Sequence, residues 1–288
     1  MRPHALLLLL MSFLAACSPV AVLNALAPRT TVTEAVAFDE HSTLAADVYA
    51  PAQACAGAPV VLFFYGGGWE AGERAMYRFL GAALAAKGVV VIIPDYRLWP
   101  EARFPAFMED AAAALRWTKA HAAEYGGDPG RLFLMGHSAG AQIATLLALD
   151  LRYQRAAGVA PGAVSGVIGI SGPYDFLPLT SPTLRAIFGP EDAWPESQPI
   201  RFVTPAAPPM MLATGTGDTT VDPANTTRMA ARLREAGVPV TEHYYEGVGH
   251  STTAGAFAGA LTFLAPVRRD ALDFIAAQSS TACVRAAE

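Results

Sequence analysis

The sequence predicts a protein of the α/β class, with a mostly parallel sheet and helices on both of its faces. Two observations predict it. Short apolar runs rich in β-branched and aromatic residues recur along the chain, and amphipathic helical patterns alternate with them. The central runs are apolar at almost every position, which is typical of strands buried on both faces. With 288 residues, 53% of them hydrophobic, the chain is long enough for one domain with a large core.

The predicted elements alternate regularly after an initial hairpin that turns at His41-Ser42. Strands are predicted over 36–40, 44–49, 59–65, 89–94, 131–136, 164–170, 210–214 and 240–246. Helices are predicted over 74–87, 105–124, 139–151, 223–236 and 267–277. Gly88 and Gly237 end two of these helices, and Pro105 lies near the start of another. No repeat or low-complexity segment interrupts the order, so we expect a single folded domain.

The N-terminus has the pattern of an export signal. Arg2 precedes an apolar run over 5–14, which is too short to span a bilayer as a helix. Leu14-Ala15-Ala16-Cys17 resembles a bacterial lipobox, which implies cleavage before Cys17 and acylation of its thiol. We therefore expect a signal at 1–16, a tether at 17–33 and the folded domain at 34–288, exported and lipid-anchored to a membrane of the bacterial cell envelope. A soluble periplasmic or secreted protein is the alternative.

Composition limits the other partners and covalent links. The formal net charge is -5, and no basic stripe is present, which argues against nucleic acid as a partner. Cys55 and Cys283 remain once Cys17 is set aside, and an exported protein enters an oxidising compartment. A disulfide between them and two free thiols are both left open, and the oligomeric state is not predicted.

The pentapeptide Gly136-His137-Ser138-Ala139-Gly140 joins a predicted buried strand to a predicted helix. A Gly-x-Ser-x-Gly sequence in this context is typical of a nucleophile elbow, whose sharp turn exposes the serine hydroxyl. The glycines allow the strand and helix to approach closely, and the helix N-terminus favours a developing negative charge. We therefore interpret Ser138 as a nucleophile rather than as part of a chance turn.

A serine nucleophile needs a base, and the base needs a carboxylate to orient it. After an elbow serine, the acid and then the histidine follow along the chain. Asp218 comes soon after the strand predicted at 210–214 and is favoured over Asp222, which we interpret as a helix N-cap. His250 follows the last predicted strand, in a glycine-rich loop, and is the candidate base. His137 is expected to point away from Ser138. The histidines with weaker positions than His250 are His4, His41, His121, His137 and His243.

An acyl-transfer site also needs backbone amides that stabilise the oxyanion of the tetrahedral intermediate. Tyr65-Gly66-Gly67-Gly68-Trp69 follows the first buried strand and offers amides without side chains. We expect the amides of Gly67, Gly68 and Ala139 to form this oxyanion hole. The glycine spacing does not match a nucleotide-binding loop.

Three segments resemble those of α/β-hydrolase carboxylesterases related to hormone-sensitive lipase: 65–69, 136–140, and Asp95-Tyr96-Arg97-Leu98-Trp99-Pro100-Glu101. With Asp218 and His250 the resemblance covers about 34–275, and it implies the α/β-hydrolase fold. Tyr65 replaces the histidine that buttresses the family's oxyanion loop, so either its phenol takes this role or the loop is held otherwise. Asp95 and Arg97 are expected to hold the loop structurally. The chain resembles capless members, with 172–209 as a small lid.

These residues predict a serine hydrolase that cleaves carboxylic esters of small molecules through an acyl-enzyme on Ser138. An amidase of the arylformamidase type would use the same Ser138, Asp218 and His250, with Tyr65 and Trp69 flanking an aromatic substrate. A non-catalytic binding module on the same fold is the third hypothesis. The mechanism implies no metal and no organic cofactor.

Overall fold

The computed structural model describes residues 18–39, 42–53, 57–279 and 284 of the chain. The strands are β1 Thr31–Ala37, β2 Ala45–Ala50, β3 Ala58–Phe64, β4 Val90–Pro94, β5 Gly127–His137, β6 Gly166–Ile170, β7 Met210–Gly215 and β8 Val240–Tyr245. They form one eight-stranded sheet in the order β1-β2-β4-β3-β5-β6-β7-β8. β2 runs antiparallel to both β1 and β4, and all other neighbours are parallel, so the predicted α/β class is confirmed.

Helices connect the parallel strands. They are α1 Pro19–Ala25, α2 Arg78–Ala85, α3 Ala106–His121, α4 Ala139–Leu149, α5 Leu151–Ala156, α6 Pro182–Phe188, α7 Ala224–Glu235, α8 His250–Gly255 and α9 Val267–Ser279. The helix predicted at 74–87 begins with a 3-10 turn, Arg74–Tyr77, before α2. The helix predicted at 139–151 ends earlier because Asp150 leaves helical geometry and its carboxylate caps α5 by accepting from Arg152 N at 3.1 Å.

The core lies around the central strands. Every residue of β3, β4, β6 and β7 is buried, as their continuous apolar sequences predict, whereas the edge strand β1 is mostly exposed and the edge strand β8 exposes Thr241 and Tyr244. All eleven residues of α4 are buried as well. A helix that is apolar around its whole circumference packs inside the molecule, so α4 holds the end of β5 rigidly in place.

The structure adds two features before β2. β1 begins five residues earlier than predicted because Thr31 and Thr33 belong to a half-polar edge strand, not to an apolar run. Within the expected tether, α1 packs against the turn Arg74–Tyr77. Asn24 fixes it there, since Nδ2 donates to Ala75 O at 2.8 Å and Oδ1 accepts from Phe79 N at 3.0 Å.

The three cysteines, Cys17, Cys55 and Cys283, lie outside the described residues, and so do the expected signal and His41 of the predicted turn. Within the described ranges, no helix has both the length and the apolar character that crossing a bilayer requires.

Candidate active site

Ser138 lies at the sharp turn between β5 and α4. Its backbone has φ 56° and ψ −124°, a conformation that costs energy for a residue with a Cβ and clusters at functional sites. A hydrogen bond from Ser138 N to Ile170 O, 2.9 Å long, helps to hold the turn. A Cβ on Gly136 would overlap the Gly140 carbonyl, and one on Gly140 would overlap the Phe64 carbonyl. Both glycines are therefore required for the close approach of strand and helix that the sequence predicts.

His250 and Asp218 form a direct pair. Nδ1 of His250 lies 2.7 Å from Oδ2 of Asp218, whose side chain is fully buried. The other carboxylate oxygen accepts from Thr220 N and Val221 N, both at 2.9 Å. Because an ionised carboxylate only accepts hydrogen bonds, Nδ1 carries the imidazole proton and Nε2 is left as the basic nitrogen. Asp222 instead accepts from Ala224 N at 2.9 Å, as an N-cap does.

His250 lies at the first position of α8 rather than in an open loop, with Gly249 as the N-cap. Its carbonyl accepts from Thr253 Oγ1 at 2.6 Å and is 3.2 Å from His137 Nε2. The His137 and His250 rings are 4.8 Å apart, so the base lies against the residue that precedes Ser138. The hydroxyl of Ser138 makes no hydrogen bond within the described part of the chain; such bonds in free enzymes are commonly long and tighten around substrate.

The glycine loop after β3 presents unpaired backbone donors. Gly67 has φ 141° and Gly68 φ 63°, and a Cβ on Gly67 would overlap the Ala71 carbonyl. The Gly67 carbonyl accepts from Glu70 N and Ala71 N, at 3.2 and 2.9 Å, which closes the turn. The amides of Gly67, Gly68 and Ala139 donate to none of the described residues. Amides free of internal partners beside a strained serine suit the binding of an oxyanion.

Two tyrosine hydroxyls hold this loop, and neither belongs to Tyr65. Tyr96 Oη donates to the Tyr65 carbonyl at 2.8 Å, and Tyr77 Oη accepts from Gly66 N at 3.3 Å. The Tyr65 ring is buried and stacked on Tyr96 with centroids 4.5 Å apart. Of the two possibilities left open by the replacement of the family's histidine, the structure therefore favours a loop that is held by other residues.

Asp95 and Arg97, which are expected to have a structural role beneath the oxyanion glycines, both form ion pairs with side chains of other elements. Arg97 binds both carboxylate oxygens of Asp110 on α3, at 2.7–3.0 Å. Asp95 pairs with Arg74, which also bonds Asp47 at 2.9 Å. These ion pairs fix α3 and the turn Arg74–Tyr77, so they act on the loop only through neighbouring elements.

A cavity of about 700 Å³ opens above Ser138. Trp69 and Phe176 form part of its wall, with ring centroids 5.8 Å apart, and Asp175 and Arg228 pair at 2.7 Å among its polar lining residues. Its other lining residues come largely from the segment expected to form a lid: Pro173, Leu177, Pro178, Leu179, Thr180 and Leu184. The segment at 172–209 therefore covers part of the site.

A buried amide connects this covering segment to the nucleophile's helix. Gln142 on α4 accepts from Trp69 Nε1 at 3.1 Å and donates from Nε2 to Ser197 O at 2.8 Å. Sequence reasoning did not single out Gln142, Tyr77 or Thr253, because none belongs to a recognisable motif, and it gave Tyr96 no role of its own although this residue lies within the segment at 95–101. No group of three or more potential ligands in the described ranges is arranged to hold a metal ion.

The comparisons with known proteins agree with this architecture. The BD-FAE family model matches residues 46–233, more than half of the chain. A protein of Oryza sativa subsp. japonica named "Probable isoprenylcysteine alpha-carbonyl methylesterase ICMEL1" is 30% identical over 242 residues, covering 76% of this chain and 57% of the relative. Carboxylesterase NlhH of Mycobacterium tuberculosis is 39% identical over 126 residues, covering 43% of this chain and 39% of its own. The chain spans about half the length of the curated relatives that it matches first, 51% and 57%.

Among solved structures, esterase 2 of the Planctomycetes species Thermogutta terrifontis, with butyrate bound, superposes with a TM-score of 0.72 at 25% identity. That match covers 88% of this chain and 96% of the esterase. The fold is therefore that of the α/β-hydrolases, as the sequence predicts. The family model runs from β2 into α7 and includes the glycine loop, Ser138 and Asp218. On this match, the chain belongs to the BD-FAE family.

Proposed function

We propose that the protein is a carboxylic ester hydrolase that works through an acyl-enzyme on Ser138. The observation that carries the proposal is the 2.7 Å hydrogen bond between His250 and Asp218 at the sheet edge where the strained serine lies. The names of the relatives and of the similar solved structure, carboxylesterase and esterase, support the same class of reaction.

In the proposed reaction, Ser138 Oγ attacks the ester carbonyl while its proton moves to Nε2 of His250. Asp218 accepts the Nδ1 proton and stabilises the imidazolium that forms. The amides of Gly67, Gly68 and Ala139 stabilise the oxyanion, and loss of one such donor costs about 2.7–4 kcal/mol in comparable sites. His250 then gives its proton to the leaving alcohol. Water next attacks the acyl-enzyme while His250 takes the water's proton, and His250 returns this proton to Ser138 Oγ as the acid is released.

The cavity indicates the class of ester. Its volume of about 700 Å³ lies within the range of pockets that hold drug-sized molecules, and its wall is aromatic and aliphatic. We therefore propose that one side of the ester, acyl or alcohol, is a bulky apolar group that lies against Trp69 and Phe176. The Asp175–Arg228 pair contributes charged groups to the cavity lining, where they contact any polar part of the substrate.

Replacement of the nucleophile tests the proposal. Ser138→Ala is expected to abolish hydrolysis of p-nitrophenyl acetate while circular dichroism and the melting temperature stay close to those of the unmodified protein. Ser165→Ala is the matched control, because Ser165 precedes β6 at the opposite edge of the sheet and its hydroxyl bonds only Gly130 O at 3.2 Å. Turnover retained by folded Ser138→Ala protein contradicts the assignment.

An amidase of the arylformamidase type is the second candidate, and the aromatic wall formed by Trp69 is the observation that favours it. Tyr65 gives no such support, since its ring is buried beneath the loop. Hydrolysis of N-formylkynurenine, measured beside esters of short acids and of aromatic acids, separates the two candidates by the ratio of their kcat/KM values.

We also propose that the mature chain begins at an acylated Cys17 and is anchored in the bacterial cell envelope. Support comes from the apolar run at 5–14 and from Leu14-Ala15-Ala16-Cys17. Ser18, the next residue, caps α1 by accepting from Ala21 N at 3.2 Å, so the folded part starts directly behind the proposed anchor. Radioactive palmitate should label the expressed protein and should not label Cys17→Ser. Equal labelling of both, or of neither, contradicts the anchor.

A further inference from the structure

His137, the residue before Ser138, has both ring nitrogens engaged. Nδ1 lies 3.2 Å from Tyr77 Oη, and Nε2 lies 3.2 Å from the His250 carbonyl. Tyr77 Oη also accepts the amide hydrogen of Gly66 at 3.3 Å. These contacts form one continuous path of hydrogen bonds. It runs from Gly66, which precedes the oxyanion amides, through Tyr77 and His137 to the backbone carbonyl of the proposed base.

Only one neutral tautomer of His137 fits all of these contacts. The His250 carbonyl can only accept, so Nε2 of His137 must donate. The Tyr77 hydroxyl already accepts from Gly66 N, so its own proton is available to Nδ1, which then is unprotonated. The ring is therefore the neutral Nε2–H tautomer. Burial, together with the nearby His250, lowers the pKa of His137 to about 3, which agrees with this state.

We propose that Tyr77 and His137 are positioning residues, whose hydrogen bonds fix the oxyanion loop and the base on either side of Ser138. The proposal rests on the proposed roles of Ser138 and His250. It assigns a purpose to His137 that the elbow motif does not require, since the motif accepts any residue at this position. It also explains why the polar ring of His137, at the end of β5, is buried against His250 of α8.

The path connects residues of three elements that are far apart in the sequence. The Gly66 end belongs to the loop after β3, His137 ends β5, and His250 begins α8. The His250 carbonyl also accepts from Thr253 Oγ1. Ser171, which follows β6, holds this threonine in place, since its Oγ lies 3.0 Å from Thr253 Oγ1. Misplacement of a reacting group by about 1 Å can cost about 100-fold in rate, so small relaxations of this path are expected to slow the chemical step.

The neutrality of His137 has a second consequence. Its ring lies 4.8 Å from the His250 ring, which becomes positively charged during the proposed reaction. A neutral neighbour avoids the repulsion that a second cation would produce at that distance. The residue thus orients the base by a hydrogen bond without opposing its protonation.

Tyr77→Phe is the first test, because it removes the hydroxyl and keeps the ring against Phe63 and Phe79, at 5.1 and 6.0 Å. We expect kcat for p-nitrophenyl acetate to fall by about 10- to 100-fold while KM changes less than about twofold. Tyr245→Phe is the matched control. It also removes a buried hydroxyl that makes one hydrogen bond, to Asp270 at 3.0 Å, but this bond is not part of the path. It should lower the melting temperature without lowering kcat.

Two variants of His137 form the second test. His137→Gln can place an amide N–H near the position of Nε2 and donate to the His250 carbonyl, whereas His137→Leu cannot donate at all. We expect His137→Gln to keep kcat within about fivefold of the unmodified enzyme and His137→Leu to lose about 10- to 100-fold. A purely structural role would lower the melting temperature of both variants without this difference in kcat.

The result that overturns the inference is a folded Tyr77→Phe or His137→Leu enzyme whose kcat stays within twofold of the unmodified value. Failure of the proposed function looks different, because Ser138→Ala would then retain turnover. If Ser138→Ala is inactive and the positioning variants are fully active, the proposed esterase stands and only the role of Tyr77 and His137 is refuted.

Discussion

Two carboxylates four residues apart, Asp218 and Asp222, have different surroundings and therefore different capacities. Asp218 has a fully buried side chain that accepts from two backbone amides and from the imidazole of His250. Asp222 caps the start of α7. The carboxylate of Asp218 is placed to stabilise an imidazolium on His250, whereas that of Asp222 supports the start of α7 and lies among the residues that line the cavity.

Exchange of each acid for its amide separates these roles. Asp218→Asn should lower kcat by about 10³- to 10⁴-fold, because an amide can donate to Nδ1 and favour the wrong tautomer of His250. Asp222→Asn retains a capping oxygen and should leave kcat within about twofold. Steady-state kinetics with p-nitrophenyl acetate, on protein shown to be folded, measures both. The reverse order of effects would assign the acid to Asp222.

For single residues, the sequence predicts the candidate catalytic side chains more reliably than it predicts the side chains that position them. Ser138 and His250 follow from a motif and from chain order, and the position of Asp218 after β7 distinguishes it from Asp222. Tyr77 lies 60 residues from His137, and His137 lies 113 residues from His250, so their contacts depend on the packing of distant elements. No local pattern marks them, and the sequence predicts of His137 only that it points away from Ser138.

Among the elements, the segment at 172–209 shows how a covering structure is attached to the sheet. Gln142 is fully buried in α4 and bridges Trp69 on the glycine loop to Ser197 on the covering segment. The side-chain amide of Gln198 accepts from Phe176 N at 2.8 Å and so holds Phe176, the second aromatic residue of the cavity wall. These amides keep the aromatic wall at a fixed distance from the nucleophile.

Removal of the bridge should change both stability and substrate binding. Gln142→Leu leaves the Trp69 indole N–H and the Ser197 carbonyl without partners, and a buried unsatisfied group costs about 1–3 kcal/mol. We expect a lower melting temperature and a raised KM for esters with a bulky apolar group, with a smaller change for p-nitrophenyl acetate.

Gln154→Leu is the matched control, since Gln154 is also buried but donates to Leu147 O, at 2.8 Å, in the neighbouring helix. It should lose stability with no selective effect on bulky esters. If both variants raise KM equally, the bridge has no specific role in shaping the cavity.

The elements that the sequence predicts well are those with a strong period or a continuous apolar run. Most of the strands and five helices fall in this group, whereas the strand predicted at 36–40 shares only Val36 and Ala37 with the half-polar β1. α5, α6 and α8 are six or seven residues long and were not predicted, because helices this short depend on tertiary packing rather than on their own propensity. α1 carries few distinguishing residues and is fixed by a single asparagine.

The whole molecule brings together loops that are far apart in the chain because parallel strands present their carboxyl ends at one edge of the sheet. The glycine loop follows β3, Ser138 follows β5, Asp218 follows β7 and His250 follows β8. The topology therefore assembles the site, and the hydrogen bonds described above adjust its final geometry. The sequence predicts the edge at which the site lies, but not the cavity above it, which depends on the path of 172–209.

The stability of the whole molecule should depend on pH through His137. Its pKa is about 3 when folded and near 6.5 when unfolded, so the unfolded chain binds a proton that the folded chain excludes between these values. The contribution is complete above pH 6.5 and is lost as the pH falls towards 3. The titratable neighbours are Tyr77, whose hydroxyl lies 3.2 Å from Nδ1, His250, which also lowers this pKa, and Asp218, which raises it.

Urea unfolding at pH 7 and pH 5 measures this dependence. The free energy of unfolding should fall by about 2 kcal/mol more in the unmodified protein than in His137→Gln over this interval, since only the former gains an imidazolium on unfolding. Carboxylates and the other histidines titrate in both proteins and cancel in the difference. Equal losses in the two proteins would show that His137 is accessible to protons in the folded state.

The central claim is that Ser138 is activated beside His250 and amides prepared for negative charge. A fluorophosphonate tests it most directly, because phosphonylation is fast at a serine that has both a base and an oxyanion site beside it. Peptide mass spectrometry of the protein after reaction should find the phosphonyl mass on the peptide that contains Gly136-His137-Ser138-Ala139-Gly140, and fragmentation should locate it on Ser138. An adduct on a different residue, or continued ester hydrolysis by protein with Ser138 fully modified, would contradict the account.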